Sequence, residues 1–391
     1  MLTLLAITFA TVSAIAMRGV QLGTYDVNIK NAVEMFTGYI QIQREGYQDN
    51  PSLQLSFKNS ETIKSAIKSE ESIVSSSERV YGSGLISFEQ NSYGVMILGI
   101  NPETEAKTSK VLTKLNAGKF FTSDTSNDIV LGVKLLKNLK AKIGDDVVIL
   151  AQGFDGSLGN LKFRITGTIK TGSSEYDRMA AIIGIRTAQD LLSLYGNRIS
   201  AIALKLNDLH EIEDTKESLQ DAITEEGIAV LGWEEIMPDF KQSIELDNIS
   251  GMMMLMILII IVAFGVLNTV LMSVTERFNE FGVTLSIGMP QIKLVYLILI
   301  ETILIALIGI LIGNVLAWGV NYYIVLNPIE FSGDLSYVYE EYGFLPRIES
   351  TLDPGIFIAN SLNILIISII ACLYPLYKVF KLEPLKGIRY T

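Results

Sequence analysis

Few residues in this chain could do covalent chemistry, and none sits in a pattern that would let it. There is one histidine, His210, and one cysteine, Cys372. Zinc needs several His or Cys ligands at close spacing, so no metal centre is expected, and His210 opens a charged stretch that reads as a solvated helix. Glu175 and Asp177 are close acids, read as solvated loop residues. Ser76, Ser77 and Ser83 lie in a polar stretch without a base beside them, and no G-x-S-x-G turn occurs to raise a serine as nucleophile. Ala117-Gly118-Lys119 is followed by Phe120 and lacks the upstream glycine of a phosphate loop. Such a loop wraps phosphates in glycine amides and offers a hydroxyl to Mg²⁺, so this chain is not expected to bind ATP in that way. No catalytic residue, metal ligand or resident cofactor is expected.

One short segment carries a different kind of chemistry. Between two long apolar runs lies TERFNEFGVTLSIGMPQ, Thr275 to Gln291. Val274, Phe278, Phe281 and Leu285 recur at helical spacing and make one apolar stripe. Gly282 and Gly288 permit close approach or a sharp bend, and Pro290 stops the helix. Glu276 and Glu280 are expected one turn apart near the helix start, where the dipole favours anions. A helix of this kind, held at a membrane surface by two spans, is placed to receive force from a partner.

The elements that hold it are spans of about 20 apolar residues, enough to cross a hydrocarbon core of about 30 Å. Four are expected, at residues 1–22, 251–275, 292–326 and 355–377. Ala14-Ile15-Ala16 resembles a signal-peptidase site, but no Lys or Arg precedes the run and it continues past that point, so a span is expected. The tail, 378–391, holds Lys378, Lys381, Lys386 and Arg389 against Glu383. The loop 327–353 holds six acids against Arg347. The positive-inside rule then puts the tail and residues 276–290 in the cytoplasm, and 23–248 and 327–353 outside. Inside the third span, Glu301 must face protein or be protonated, since a carboxylate at bilayer depth costs about 2.5–3.5 kcal/mol; a hydrogen bond within the bundle is expected. Gly309, Gly313 and Ala317, four apart, predict close packing against another helix. Cys372 reads as packing.

The outer region alternates strand and helix patterns. Strands are expected at Gly38–Gln43, Arg79–Glu89, Tyr93–Ile100, Asp128–Leu131, Asp146–Gln152, Leu161–Ile169, Ala180–Ile185 and Ile199–Lys205. Helices are expected at Gly23–Phe36, continuing from the first span, and at Asn59–Ser69, Val133–Leu139, Arg186–Tyr195 and Leu209–Glu226. The reading is a membrane protein of four transmembrane helices with a large α+β extracytoplasmic domain, in two lobes, inserted between the first and second spans. It has no cysteines and must hold itself by its own core. The net charge of −11 lies mostly there and argues against nucleic acid as a partner.

Glu276, Arg277, Glu280, Phe281, Gly282, Ser286, Ile287 and Gly288 resemble, in register, the coupling-helix pattern E-R-x-x-E-[IF]-G-x-x-x-[AS]-[IL]-G. That pattern belongs to the ABC-transporter permeases of the macrolide-exporter, lipoprotein-releasing and cell-division superfamily. Tyr374-Pro375 through Val379 and Pro384, and Gly118 to Leu150, resemble further motifs of the same group. Met17 to Asp26 followed by Gly38-Tyr39-Ile40-Gln41-Ile42 looks most like the lipoprotein-releasing branch.

The resemblance implies a bacterial inner-membrane permease that pairs with a second permease and docks a separate ATPase carrying ATP and Mg²⁺. It would lift acylated lipoproteins from the membrane toward a soluble periplasmic chaperone. Glu276, Arg277, Glu280, Phe281, Gly282 and Gly288 would form the coupling site. Val20, Tyr25, Met252, Met253, Met254 and Met256 would meet acyl chains between spans of facing permeases, because methionine adapts to varied apolar surfaces. Gly153–Asn160 is short where the chaperone-recruiting permease carries a long hook. The related alternatives are an efflux permease of the macrolide-exporter type and a regulator of wall hydrolases.

Overall fold

The structure, a computed structural model, describes residues 2–341 and 344–381. Lys386, Arg389, Pro384 and Leu385 of the expected tail lie outside the described residues. The chain divides into two units. One holds residues 1–27, 243–330 and 347–391; the other holds 28–242 and 331–346.

In the first unit the long apolar runs are helices, because only a helix satisfies its own backbone hydrogen bonds in hydrocarbon. These are α1 (Leu2–Ala32), α9 (Pro238–Glu276), α11 (Gln291–Leu326) and α13 (Pro354–Phe380). All four are long and apolar enough to cross a membrane. α1 runs on past residue 22, as the helix expected at Gly23–Phe36 implies, and ends at Ala32. α9 outruns its expected span, beginning thirteen residues before Gly251, because polar sequence with helical propensity carries on a helix that hydropathy cannot see.

The small-residue stripe of α11 meets α1. A Cβ on Gly313 would stand 2.5 Å from Thr11, and one on Gly309 would stand 3.0 Å from Ile7. Ala317 is buried with Ile15. Thr8 Oγ1 donates to the Gly309 carbonyl at 3.2 Å. Close backbone approach through small residues is what joins helices in lipid, where apolar side chains gain little by leaving the solvent. On α13, Cys372 is buried beside Thr302 Oγ1 at 3.4 Å, in keeping with a packing role.

The second unit is built on ten strands. They are β1 (Ile40–Arg44), β2 (Ile73–Phe88), β3 (Asn91–Ile100), β4 (Leu115–Gly118), β5 (Asp128–Gly132), β6 (Asp146–Gln152), β7 (Leu158–Ile169), β8 (Ala180–Gly184), β9 (Ala201–Leu206) and β10 (Ile228–Gly232). Helices α2 (Glu61–Ser69), α3 (Pro102–Thr108), α4 (Val133–Leu139), α5 (Ser174–Met179), α6 (Ile185–Leu191), α7 (Ile212–Ala222), α8 (Trp233–Ile236) and α12 (Asp334–Glu341) complete it.

Six strands close on themselves in the order β2, β3, β8, β5, β7, β6 and back to β2. β3–β8 and β5–β7 are parallel; the other pairs are antiparallel. Alternation fills the ring: Val95 and Ile97, Ile129 and Leu131, Val147 and Ile149, Phe163 and Ile165, and Ala181 and Ile183 all enter one buried cluster. Their neighbours Leu98, Ile100, Val130 and Ile182 face the other way and pack with Met35, Val111 and Phe121. A flat extension, β10-β1-β9, continues from the first half of β2.

The α+β class is therefore that read from the sequence, but the expected two lobes are not separate bodies. The sixteen-residue β2 belongs both to the ring and to the extension. Three further differences arise where sequence signals are weak. β4 and β10 are short edge strands: β4 is exposed throughout, and the sequence of β10, Ile-Ala-Val-Leu-Gly, hides the alternation its burial shows. α3 and α5 are helices of seven and six residues, too short to show a period. Asp177, expected to be a solvated loop residue, is buried on α5; its Oδ1 accepts from the Thr171 amide at 2.9 Å and from Thr171 Oγ1 at 2.8 Å.

Where β2 passes from extension to ring, Arg79 pairs with Ala201 on one side and Ile100 on the other. Its buried guanidinium meets Glu105 of α3 through Nη2–Oε1 at 2.6 Å and Nε–Oε2 at 3.2 Å. Burial alone would push the Glu105 carboxyl up. Arg79 outweighs it, with hydrogen bonds from Arg79, Ser109 and Ser77, and holds Glu105 below its ordinary 4.5.

A depressed carboxyl contributes stability above its unfolded pKa and loses it as pH falls through the folded one. Urea unfolding of the domain is thus expected to keep the pair's contribution down to the ordinary carboxylate range and lose it only in stronger acid. Glu105→Gln is expected to cost about 3–5 kcal/mol at neutral pH, because it strands a buried guanidinium.

Candidate functional site

The segment after α9 is a separate short helix, as expected, but it starts later than its charged residues suggest. α9 ends at Glu276, Arg277 leaves helical geometry (φ −100°, ψ 7°), and a separate helix, α10 (Phe278–Ser286), follows. Glu276 therefore closes a helix instead of opening one, at the end where the dipole disfavours an anion. Glu280 does lie in the first turn of α10.

The exit from α10 is set by glycine. The Gly288 amide donates to the Leu285 carbonyl at 3.1 Å and the Met289 amide to Thr284 at 3.3 Å. Gly288 sits at φ +101°. This is a Schellman closure, with glycine where an L side chain would be strained and Pro290 just beyond.

The apolar stripe turns inward. Val274, Phe278, Phe281 and Leu285 are buried in the cluster that holds the four long helices together. Gly282 is buried with them. Of the coupling residues read from the motif, Phe281 and Gly282 thus seat α10 on the bundle and present nothing outward. Glu280, Val283, Ile287 and Met289 are the exposed side, with Ile287 at 83%.

Arg277 pins this arrangement. Its Nη1 donates to Glu301 Oε2 at 3.1 Å, its Nε to Glu280 Oε2 at 3.3 Å, and its guanidinium lies 5.2 Å from the centre of the Phe281 ring. One cation thus ties the end of α9, the start of α10 and the acid within α11. A cavity of about 40 Å³ beside it is lined by Thr3, Thr269, Ser273 and Thr302 among others. Glu301 thus has a hydrogen bond, as expected, and its donor is a cation. The signal was in the sequence: an acid inside a span calls for a cation, and Arg277 lies at the same membrane face.

The other expected site residues divide. Met252, Met253, Met254 and Met256 are exposed on α9, and Val20 is half-buried. Tyr25 is engaged: its hydroxyl donates to Asp247 and accepts from Gln21 Nε2 at 2.8 Å. Arg18 Nη1 donates to Asn248 Oδ1 at 2.6 Å and to Gln21 Oε1 at 2.9 Å. This polar clasp between α1 and α9 was missed, because its two halves lie more than 200 residues apart in the chain. Gly251 makes room for it; a Cβ there would stand 2.2 Å from Gln21 Nε2. Among the described residues no group of three His, Cys, Asp or Glu could hold a metal.

Residues 1–222 match the MacB-like periplasmic core domain family, and residues 252–384 match the FtsX-like permease C-terminal family. The chain belongs to this family of ABC-transporter permeases.

Among its relatives are the lipoprotein-releasing system transmembrane proteins LolC of Xylella fastidiosa strain 9a5c and Neisseria meningitidis serogroup B. They are 24% and 25% identical, over 75% and 76% of this chain and 73% of each relative. The macrolide export ATP-binding/permease protein MacB of Nitrobacter winogradskyi is 24% identical over 81% of this chain and 49% of its own length. The periplasmic region of MacB from Actinobacillus actinomycetemcomitans aligns with 56% of this chain and 98% of its own (17% identity, TM-score 0.39). This is a multi-pass membrane protein with a periplasmic-type domain.

Charge reversal tests the pin. Arg277→Glu and Glu301→Arg are each expected to lower the melting temperature of the detergent-solubilised protein, by about 1 kcal/mol or more in stability. The double swap is expected to recover most of the loss; purely additive losses would refute the pairing.

Proposed function

We propose that this chain is the permease subunit of an inner-membrane ABC transporter that releases lipoproteins, driven by a separate ATPase. The observation that carries the coupling role is the way α10 is held. Its apolar side is locked into the bundle, its Gly288 turn is fixed, and Glu280, Val283 and Ile287 are left outward. An exposed isoleucine on a charged cytoplasmic turn suits a partner's groove. ATP and Mg²⁺ would sit on that partner.

In this reading, ATP-driven closure of the ATPase displaces α10. The stripe Val274, Phe278, Phe281 and Leu285 passes the displacement to the bundle, and Arg277 carries it to α11 through Glu301. α9 is one helix from Pro238 to Glu276, so motion at its cytoplasmic end reaches the chain entering the periplasmic-type domain without crossing a loop. A second permease would face this one. Acyl chains of the cargo would lie against Met252, Met253, Met254 and Met256, whose unbranched thioethers adapt to varied chains. Val20 and Tyr25 would border them, and a periplasmic chaperone would receive the product. The LolC relatives, which match most of their own length, support lipoprotein over macrolide cargo.

Purification of the full chain from its native membrane, followed by mass spectrometry, tests both halves of the proposal. A co-purifying ABC ATPase and a triacylated lipoprotein are expected. Lipoprotein absent, with ATPase activity stimulated by macrolides or peptides, would overturn the cargo assignment in favour of efflux. Glu280→Lys combined with Ile287→Glu is expected to remove the ATPase from the preparation while the protein stays folded by circular dichroism. Retention of the ATPase would refute docking at α10.

A further inference from the structure

The α/β unit holds a cavity of about 770 Å³, within the range that holds small ligands. Its position is unusual. Met35 and Thr37 line it from the π-helical turn Val33–Thr37 that directly follows α1, and Ile236 and Met237 line it from the residues just ahead of α9. Both chain segments that lead to the membrane helices thus form part of its wall. π-turns are uncommon and gather at functional sites.

The wall chemistry is specific. The buried Arg79–Glu105 pair lies in it, and the two charges satisfy each other, so the cavity offers no net charge. Beside the pair runs a relay of buried carboxamides. Gln41 Nε2 donates to the Thr37 carbonyl at 2.6 Å, and Gln43 Nε2 donates to Gln41 Oε1 at 2.6 Å. The relay ends on Gln43 Oε1, which is buried and has no hydrogen-bond partner. Gln43 is only 2% exposed. A buried acceptor left unpaired costs about 1–3 kcal/mol, and Gln43 forms part of the cavity wall, so a donor that entered the cavity and turned this carboxamide toward itself would relieve that cost. Thioether and aliphatic groups from Met35, Met96 and Leu98 also line it, with Tyr47, Tyr81 and Tyr176.

We propose that this cavity binds a short, neutral, extended peptide segment. A backbone N–H of the peptide would donate to Gln43 Oε1, and its small or aliphatic side chains would lie on the methionine wall. Carboxamides match peptide groups in both donor and acceptor, and flexible thioethers accept side chains of varied shape. A charged ligand would be desolvated without a counter-charge. Occupancy would be felt at both membrane-helix roots, since the peptide would touch Thr37 on one side and Met237 on the other. The proposal rests on the cavity alone and stands or falls independently of the lipoprotein reading.

The test uses the full chain in nanodiscs and a pool of N-acetylated, C-amidated neutral tetrapeptides, with retained peptides identified by mass spectrometry and titrated by calorimetry. Neutral peptides are expected to bind with dissociation constants below about 1 mM, a standard weak-site range. Gln43→Leu is expected to weaken them about tenfold, the worth of one buried hydrogen bond. Ser83→Trp, which fills the rim from an exposed position, is expected to abolish binding in a protein that still folds. No retained peptide, equal binding by the same pool carrying Asp or Lys, stronger binding of neutral disaccharides, or unchanged binding in Ser83→Trp would each overturn the proposal.

Discussion

Hydrocarbon offers no partner for a backbone N–H or a side-chain charge, and much of this molecule follows from that. It makes the four long segments helices. It puts Gly309, Gly313 and Ala317 where α11 meets α1, because helices in lipid are held by close packing and not by escape from water. It also gives the one acid inside α11 a cation, Arg277, at the turn between α9 and α10. The charged interruption between two spans is thereby bound to the bundle by two means: an apolar stripe and an ion pair. In the proposed coupling, a helix so fixed would transmit displacement, where a loosely tethered one would absorb it.

The α/β unit obeys a different constraint. A closed ring of six strands has no free edges, and its interior alternates cleanly, filling a core that also takes in Ile40, Ile42, Ile202 and Val230 of the extension. The extension β10-β1-β9 shares only β2 with that ring. At the point of passage Arg79 and Glu105 satisfy each other away from water. An ion pair there fixes how the two halves of β2 are held. The cavity that borders it owes its neutrality to the same pair.

The four spans were legible from hydropathy alone, since a run such as 251–275 has no other stable home. The long strands β2, β3 and β6 were legible from alternation. The coupling turn was legible in its residue types but not in its geometry. Periodicity marks the stripe Val274-Phe278-Phe281-Leu285, yet it cannot tell whether that stripe faces a partner or its own bundle. Nor could it show the break at Arg277, which depends on one backbone angle. The clasp of Arg18, Gln21 and Tyr25 with Asp247 and Asn248 was invisible for another reason: one sequence carries no record of which distant residues meet. The ring closure was hidden likewise, since β6 finds both β2 and β7 only in three dimensions.

The account's central claim is that α10 offers one side to a partner and the other to its own bundle. A photoreactive amino acid placed in turn at Ile287 and at Phe281, followed by irradiation of native membranes, measures this most directly. The claim predicts that the probe at 287 yields an adduct with a nucleotide-binding protein, and that the probe at 281 yields only links within this chain. An adduct from 281, or none from 287, would contradict it.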